Sequence, residues 1–297
     1  MLLAGSSLAP RSLSCIVSCK LGFRNGEKGG TFPRQGQGAD LSDTTHSFNG
    51  QRTWEEIVSI CSLGPRICGT KPLETLRKEI RRRFEAWGGR CREEEFDVSP
   101  PSQLGPDVRG VNLIASIGPS EGSRILLGTH YDTRPRADEE SSPARRSQPI
   151  LGANDGASGV AVLLELGRLL SMQELPIGID FVFFDAEEYV FDADVDPLVI
   201  GSIDFASKLA DPTGYQAAVV VDIVGRAEQL LTPDSDSWYL ARSLVREFWG
   251  VAQGRAARSF EENVRYEVLD DHIPLLGVGI PAICLIDVDD PHWHTLD

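Results

Sequence analysis

Ile179-Asp180-Phe181-Val182-Phe183-Phe184-Asp185-Ala186-Glu187-Glu188 is the stretch that sets the fold class. Five apolar residues, counting Ile179, run directly into three carboxylates within four positions. A short, nearly continuous apolar run of this kind is expected of a strand buried on both faces of a parallel sheet. In such sheets ligands bind beyond the carboxyl ends of the strands, which is where Asp185, Glu187 and Glu188 fall. Adjacent side chains in extended backbone point opposite ways, so one of Glu187 and Glu188 can hold a metal while its neighbour faces substrate. A solvated acidic turn after a core strand would give the same letters, and the rest of the chain decides between the two.

Working outward, strand-like segments are expected at about 91–98, 108–117, 124–129, 217–222, 264–268 and 281–286. Helices alternate with them. Thr53-Trp54-Glu55-Glu56 has the pattern of a capping box and opens a short helix. Pro72 starts a stronger one, with Leu73, Leu76, Ile80, Phe84 and Trp87 along one face and Gly88-Gly89 ending it. Its Arg81-Arg82-Arg83 run reads as a solvated face. A third helix should run from about Ala157 to Leu170, burying Val160, Leu163, Leu164, Gly167 and Leu170. Further helices are expected from Gly201-Ser202 to about Ala210 and over 234–250. The pattern implies a three-layer α/β/α single domain with a central mixed, mostly parallel sheet.

At 297 residues the chain can bury a substantial core, and its 41% hydrophobic and 25% charged content is that of a soluble globular protein. A net charge of −15 argues against nucleic acid or an anionic membrane as the main partner. No run reaches the roughly 18 apolar residues of a spanning helix. The six cysteines form no CxxC zinc pattern and leave the redox compartment open. Residues 1–52 read as a flexible arm, and Ile16-Val17-Ser18-Cys19 within it resembles a bacterial lipoprotein cleavage box behind a very short apolar stretch. The folded domain is expected over 53–297.

Polar residues gather just after the expected strands. His130 and Asp132 follow Ile125-Leu126-Leu127-Gly128, and Asp155 lies in the Asn154-Asp155-Gly156 turn. Asp222 ends Ala218-Val219-Val220-Val221, and His294 lies beyond Ile283-Cys284-Leu285-Ile286. One His after a strand is usually a satisfied structural residue. Two His and several carboxylates at one sheet edge are harder to dismiss, because the uncompensated like charges of the carboxylates would repel at close range. Imidazole nitrogens with carboxylate oxygens suit zinc. Asp132, two residues from His130, is placed to orient that imidazole from behind. No GxSxG elbow, P-loop or early GxGxxG competes, and Ser158 reads as a small residue opening a helix.

His130-Tyr131-Asp132, Asn154-Asp155-Gly156, Asp185-Ala186-Glu187-Glu188, Asp222 and Trp293-His294-Thr295 occur in order and at suitable spacing. Together they resemble the family-28 zinc aminopeptidases and their relatives, the glutaminyl-peptide cyclotransferases, over roughly residues 54–297. Asp270-Asp271-His272-Ile273-Pro274-Leu275, and the Trp directly before the final His, resemble the cyclase branch. The resemblance implies Asp155, Glu188 and His294 as ligands of one catalytic zinc ion. It implies Glu187 as general acid and base, Asp222 and Asp270 as its carboxylate network, and Trp293 as a flank for the substrate side chain. In the two-zinc aminopeptidases His130 and Asp222 would complete a second site bridged by Asp155.

The implied activity is cyclisation of N-terminal Gln of peptides or proteins to pyroglutamate with release of ammonia. The alternatives are a zinc aminopeptidase and, third, a non-catalytic metal-binding domain, which the presence of Glu187 disfavours. Three departures stand out. Animal cyclases carry a pocket Trp where this chain has Ala193 and a His where it has Cys284. The chain stops at Asp297, where relatives usually continue, so a C-terminal truncation is expected.

Overall fold

The computed structural model describes residues 47–256, 258–264 and 266–297. Most of the expected arm, and the Ile16–Cys19 box with it, lies outside the described residues. The strands are β1 (Arg90–Val98), β2 (Val108–Ile117), β3 (Arg124–His130), β4 (Gly178–Phe184), β5 (Tyr215–Asp222) and β6 (Ala282–Ile286). The helices are α1 (Gly50–Cys61), α2 (Lys71–Ala86), α3 (Ala157–Ser171), α4 (Ile200–Lys208), α5 (Ser235–Leu240), α6 (Arg242–Ala256) and α7 (His272–Gly277).

One six-stranded sheet, in the order β1-β2-β4-β3-β5-β6, runs through the domain. β3 pairs parallel with both β4 and β5, and β5 with β6. β2 runs antiparallel to β4 and to β1. The sheet is therefore mixed and mostly parallel. Every residue of β4 is buried, as its apolar run requires.

Alternation along β4 generates the layers. Phe181 and Phe183 face one way and pack on Phe84 of α2, with ring centroids 4.8 and 6.0 Å apart. Phe184 faces the other way and meets Phe205 of α4 edge-on at 5.7 Å. α2 buries Leu73, Leu76, Ile80 and Phe84, the stripe its spacing predicts. The Arg81–Arg83 run pairs with surface acids: Arg81 with Glu93, Arg82 with Glu79, and Arg83 with Glu56 and Glu79. α3 buries Val160, Leu163, Leu164, Gly167 and Leu170.

The one charge inside β4 is neutralised locally. Asp180 accepts hydrogen bonds from Arg124 Nε and Nη2, both at 2.7 Å, from Tyr215 Oη at 2.7 Å and from Ser116. Burial opposes ionisation here, yet these donors hold its carboxyl below the usual carboxylate range. Asp180→Asn, which strands the Arg124 guanidinium beside a neutral amide, should lower stability by about 2–3 kcal/mol. A urea-unfolding midpoint unchanged by the substitution would contradict that role.

Three elements differ from expectation. α1 starts at Gly50, because the Asn49 side chain accepts from the Arg52 amide at 3.0 Å and caps it. Thr53 lies inside the first turn and returns its hydroxyl to the Asn49 carbonyl, so the folded domain begins before residue 53. The helix expected over 234–250 is two, α5 and α6, broken at Ala241. The described residues within 264–268 form no strand. The Tyr266 carbonyl accepts from the Ser235 amide at 2.9 Å, so this segment is tied to the start of α5 rather than to a sheet edge.

Candidate active site

Four parallel strands deliver the candidate donors to one edge of the sheet. His130 is the last residue of β3 and Asp222 the last of β5; Glu187 and Glu188 follow β4, and His294 follows β6. Asp155 comes from the turn that opens α3. The next residue, Gly156, has φ +90°, and a Cβ there would lie 2.8 Å from the Asp132 carbonyl oxygen. Only glycine fits, and the turn brings Asp155 against His130.

The five residues proposed from sequence as metal ligands come together as two donor sets that share Asp155. His130, Asp155 and Asp222 form one, and Asp155, Glu188 and His294 the other, with ligand atoms within 4.8 Å of one another in each. In the first set His130 Nε2 lies 3.0 Å from Asp222 Oδ1 and 3.2 Å from Asp155 Oδ1. In the second, His294 Nε2 lies 3.2 Å from Glu188 Oε1 and 3.6 Å from Asp155 Oδ2. Asp155 thus turns one oxygen to each set. All five residues are buried.

The loop carrying Glu187 and Glu188 is held from below. Asp132 accepts from the Glu187 amide at 3.3 Å and from the Glu188 amide at 3.1 Å. Its contact with His130 Nδ1 is 3.5 Å, so its shorter bonds go to the loop rather than to the imidazole. Asp185 turns away from the donors. Its carboxylate accepts from the Val111 and Ala186 amides at 2.8 and 2.7 Å, and its own amide bonds Asn112. Backbone strain concentrates here: Ala186, Ile223 and His294 all have positive φ, between 46° and 55°. Non-glycine residues in that region persist only where surrounding bonds over-determine them, at about 1–3 kcal/mol each. All three adjoin or carry a donor.

Three side chains that the sequence did not single out complete the site. Arg134 Nη1 donates to Glu188 Oε2 at 3.0 Å, and its Nη2 pairs with Asp138 at 2.7 Å. Asp138 Oδ1 in turn stands 3.3 Å from His294 Nδ1, on the far side of the ring from Glu188. The start of the polar insertion 134–149 therefore lies against the donors Glu188 and His294. Arg66, wholly buried, donates to the carbonyls of Leu151 and Gly152 and holds the turn leading to Asp155. Of the remaining sequence-predicted residues, Asp270 is buried and lies near enough to raise the Glu187 carboxyl electrostatically. Trp293 is 46% exposed and stacks on the His294 ring at 3.9 Å.

The two adjacent glutamates are driven apart. Burial pushes Glu187 well above the ordinary carboxylate range, with the negative charge of Glu188 adding to it. Burial also opposes ionisation of Glu188, but His294 and Arg134 overcome it and hold that carboxyl low. Burial and Asp270 raise Asp222 to about 7 against the pull of His130. His294, despite burial, is raised to about 9 by Glu188 and Asp138, and His130 is raised as well, chiefly by Asp222.

A divalent cation fits this donor set. Asp155 Oδ2 is buried without a hydrogen-bond partner, and acidic groups outnumber the two nearby guanidiniums. Nitrogen and oxygen donors of this kind suit zinc. Protons take the cation's place in metal-free protein, which sets a pH dependence. Carboxyls raised in the fold lose their stabilising proton between about pH 4 and 7, and the raised histidines lose theirs between about pH 6.5 and 9. Glu188, held low, has completed its contribution below that window. Metal-free protein should therefore melt at lower temperature as pH rises from about 5 to 9, and zinc should abolish the trend. A metal-free melting temperature that climbs over this range contradicts the electrostatics described.

Residues 112–297 match the family described as Peptidase family M28. Among curated proteins, the glutaminyl-peptide cyclotransferase of Bos taurus is 26% identical over 220 residues, 63% of this chain and 59% of that protein. The chain thus spans less than two thirds of that relative's length. Among solved structures, the glutaminyl cyclase of Fimbriiglobus ruber is 34% identical, with a TM-score of 0.80 over 88% of this chain and 91% of that one. A Zn-dependent exopeptidase from Parabacteroides distasonis is 26% identical, with a TM-score of 0.78 over 85% and 91%. Among the described residues no helix is long and apolar enough to cross a membrane.

Proposed function

The chain belongs to peptidase family M28, and from that premise we propose that it is a zinc-dependent glutaminyl-peptide cyclotransferase acting on peptide or protein N-termini. The observation that carries the reading is the divided pair Glu187 and Glu188. One carboxyl is held ionised by His294 and Arg134, and its neighbour is kept able to carry a proton. Two carboxyls whose environments push them apart mark out a ligand and an acid–base group. The likeness to the Fimbriiglobus ruber glutaminyl cyclase, at 34% identity, supports the cyclase branch.

Asp155, Glu188 and His294 would hold the zinc ion. When bound, zinc supplies Lewis-acid polarisation of the substrate's side-chain amide carbonyl. Glu187 takes a proton from the substrate α-amine as that nitrogen bonds to the amide carbon. It returns the proton to the departing nitrogen, which leaves as ammonia. The amide clamp from Asp132 keeps Glu187 in place through both transfers, and Asp222 and Asp270 keep its surroundings negative, so the proton is retained until the leaving group takes it. Trp293, stacked on His294, would flank the glutamine side chain, and Asp138 stands against the same histidine. Ala193, which the resemblance aligns with the pocket indole of animal cyclases, is exposed in the loop after β4 and supplies no such ring.

A second reading is favoured by one observation: His130, Asp155 and Asp222 make a complete second donor set. An aminopeptidase with two metal ions would use it. Steady-state assays of ammonia release from Gln-initiated peptides against amino-acid release from Leu- or Ala-initiated peptides separate the two. The cyclase reading requires the first to dominate, and efficient trimming without ammonia overturns it.

A further inference from the structure

A second mixed cluster lies beside the carboxylates of the site. Asp270, His272 and Cys284 offer an oxygen, an imidazole nitrogen and a sulfur within 4.8 Å of one another, and all three residues are buried. The first two come from the start of α7 and the third from the middle of β6. Cys284 Sγ lies 3.2 Å from Asp270 Oδ2. His272 is wholly buried, and neither of its ring nitrogens completes a hydrogen bond. Its nearest charged neighbour is Asp234, whose Oδ1 makes an ion-pair contact with Nε2 at 3.2 Å, while Nδ1 has no polar partner. Asp234 is itself fixed: its side chain caps α5 by accepting from the Ser237 amide at 2.9 Å.

A fully buried imidazole with one ring nitrogen left without a partner is rare in folded proteins and calls for an explanation, which an ion or a water supplies. Here the neighbours of the ring decide which. A water could bond the imidazole and the carboxylate, but a thiol is a poor partner for it. Thiolate, imidazole and carboxylate together are a zinc donor set, and sulfur separates this set from the nitrogen and oxygen donors at the sheet edge.

We propose that Asp270, His272 and Cys284 form a second, thiolate-bearing zinc site. On binding, the Cys284 S–H bond breaks and its proton passes to the buffer. The ion bonds to the resulting sulfur, to an Asp270 oxygen and to a His272 ring nitrogen, and Asp234 orients the ring. Filling the site draws Asp270 onto the ion and away from the carboxylates around Glu187, so an ion here inhibits. That consequence rests on the reading of Glu187 given above; the binding does not.

Cadmium is the probe, because a cadmium–thiolate bond gives an ultraviolet charge-transfer band that nitrogen and oxygen donors do not. Zinc-loaded protein titrated with cadmium chloride should show the band with one thiolate-bound equivalent by elemental analysis. Cys284→Ser, which leaves the other cysteines in place, should lose both. Asp234→Asn keeps all three donors and an amide able to cap α5, and should bind cadmium about 10–100-fold more weakly, the usual loss when an outer partner of a ligand is removed. Absence of the band in wild-type protein, an equal band in Cys284→Ser, or unchanged affinity in Asp234→Asn overturns the site. The band reports on the site whatever reaction the sheet-edge donors carry out.

Discussion

Glu187→Gln is expected to lower turnover by roughly 10² to 10⁴ while leaving zinc content intact, the usual scale for loss of a general acid–base group. The substitution keeps the length and polarity of the side chain and the backbone amide that Asp132 accepts from. It removes only the group that can take and return a proton. Glu188, whose ionisation is secured by His294 and Arg134, does not depend on its neighbour for position. Measurement of kcat together with elemental analysis separates the two effects. Near-normal turnover in this variant would show that the proton moves through another group.

Loss of the ion itself should follow from Glu188→Gln or His294→Ala. Each removes a proposed ligand, so affinity should fall by more than the roughly 10–100-fold typical of losing an outer partner. In Glu188→Gln the Arg134 guanidinium is also left facing a neutral amide within a buried site, which adds an electrostatic penalty. In His294→Ala the Trp293 indole loses the ring it stacks on, so the mouth of the site loosens as the ion leaves. His130→Ala is the informative contrast. It touches only the first donor set, so it removes one equivalent from a two-ion site and none from a one-ion site. Full zinc in the Glu188/His294 double variant would contradict the ligand assignment.

What the sequence made legible was what periodicity and strand ends encode. The apolar run of β4 announced a doubly covered strand, and Phe181, Phe183 and Phe184 do divide between two helical layers. His130 and Asp222 could be placed because a polar residue ending an apolar strand has few places to go but the sheet edge. Arg134 and Asp138 could not, because they lie in a polar insertion with no periodicity to say that its start lies against the donors. The available signal was Arg134 two residues downstream of Asp132, where a buried excess of negative charge needs neutralising. Arg66 gave still less warning, since nothing local says that an arginine will be wholly buried.

Other misreadings came from tertiary contacts that decide between equal local choices. Asn49 and Thr53 are both acceptable helix caps. Glu165 of α3 settles the matter by accepting from the Asn49 amide at 3.1 Å and pairing with Arg52 at 3.1 Å. Val264, Tyr266 and Val268 alternate like a strand. A strand needs an edge to pair with, and the Tyr266 carbonyl is taken by Ser235 instead.

The central claim is that one buried carboxyl beside a zinc ligand moves a proton from an amine to a leaving ammonia. Mass spectrometry of a Gln-initiated peptide incubated with zinc-loaded protein tests it most directly, with Glu187→Gln protein run alongside. The account predicts a product lighter by one ammonia, its chain otherwise intact, formed by the wild type and scarcely by the variant. A product shortened by its first residue, or an unaltered peptide, would contradict it.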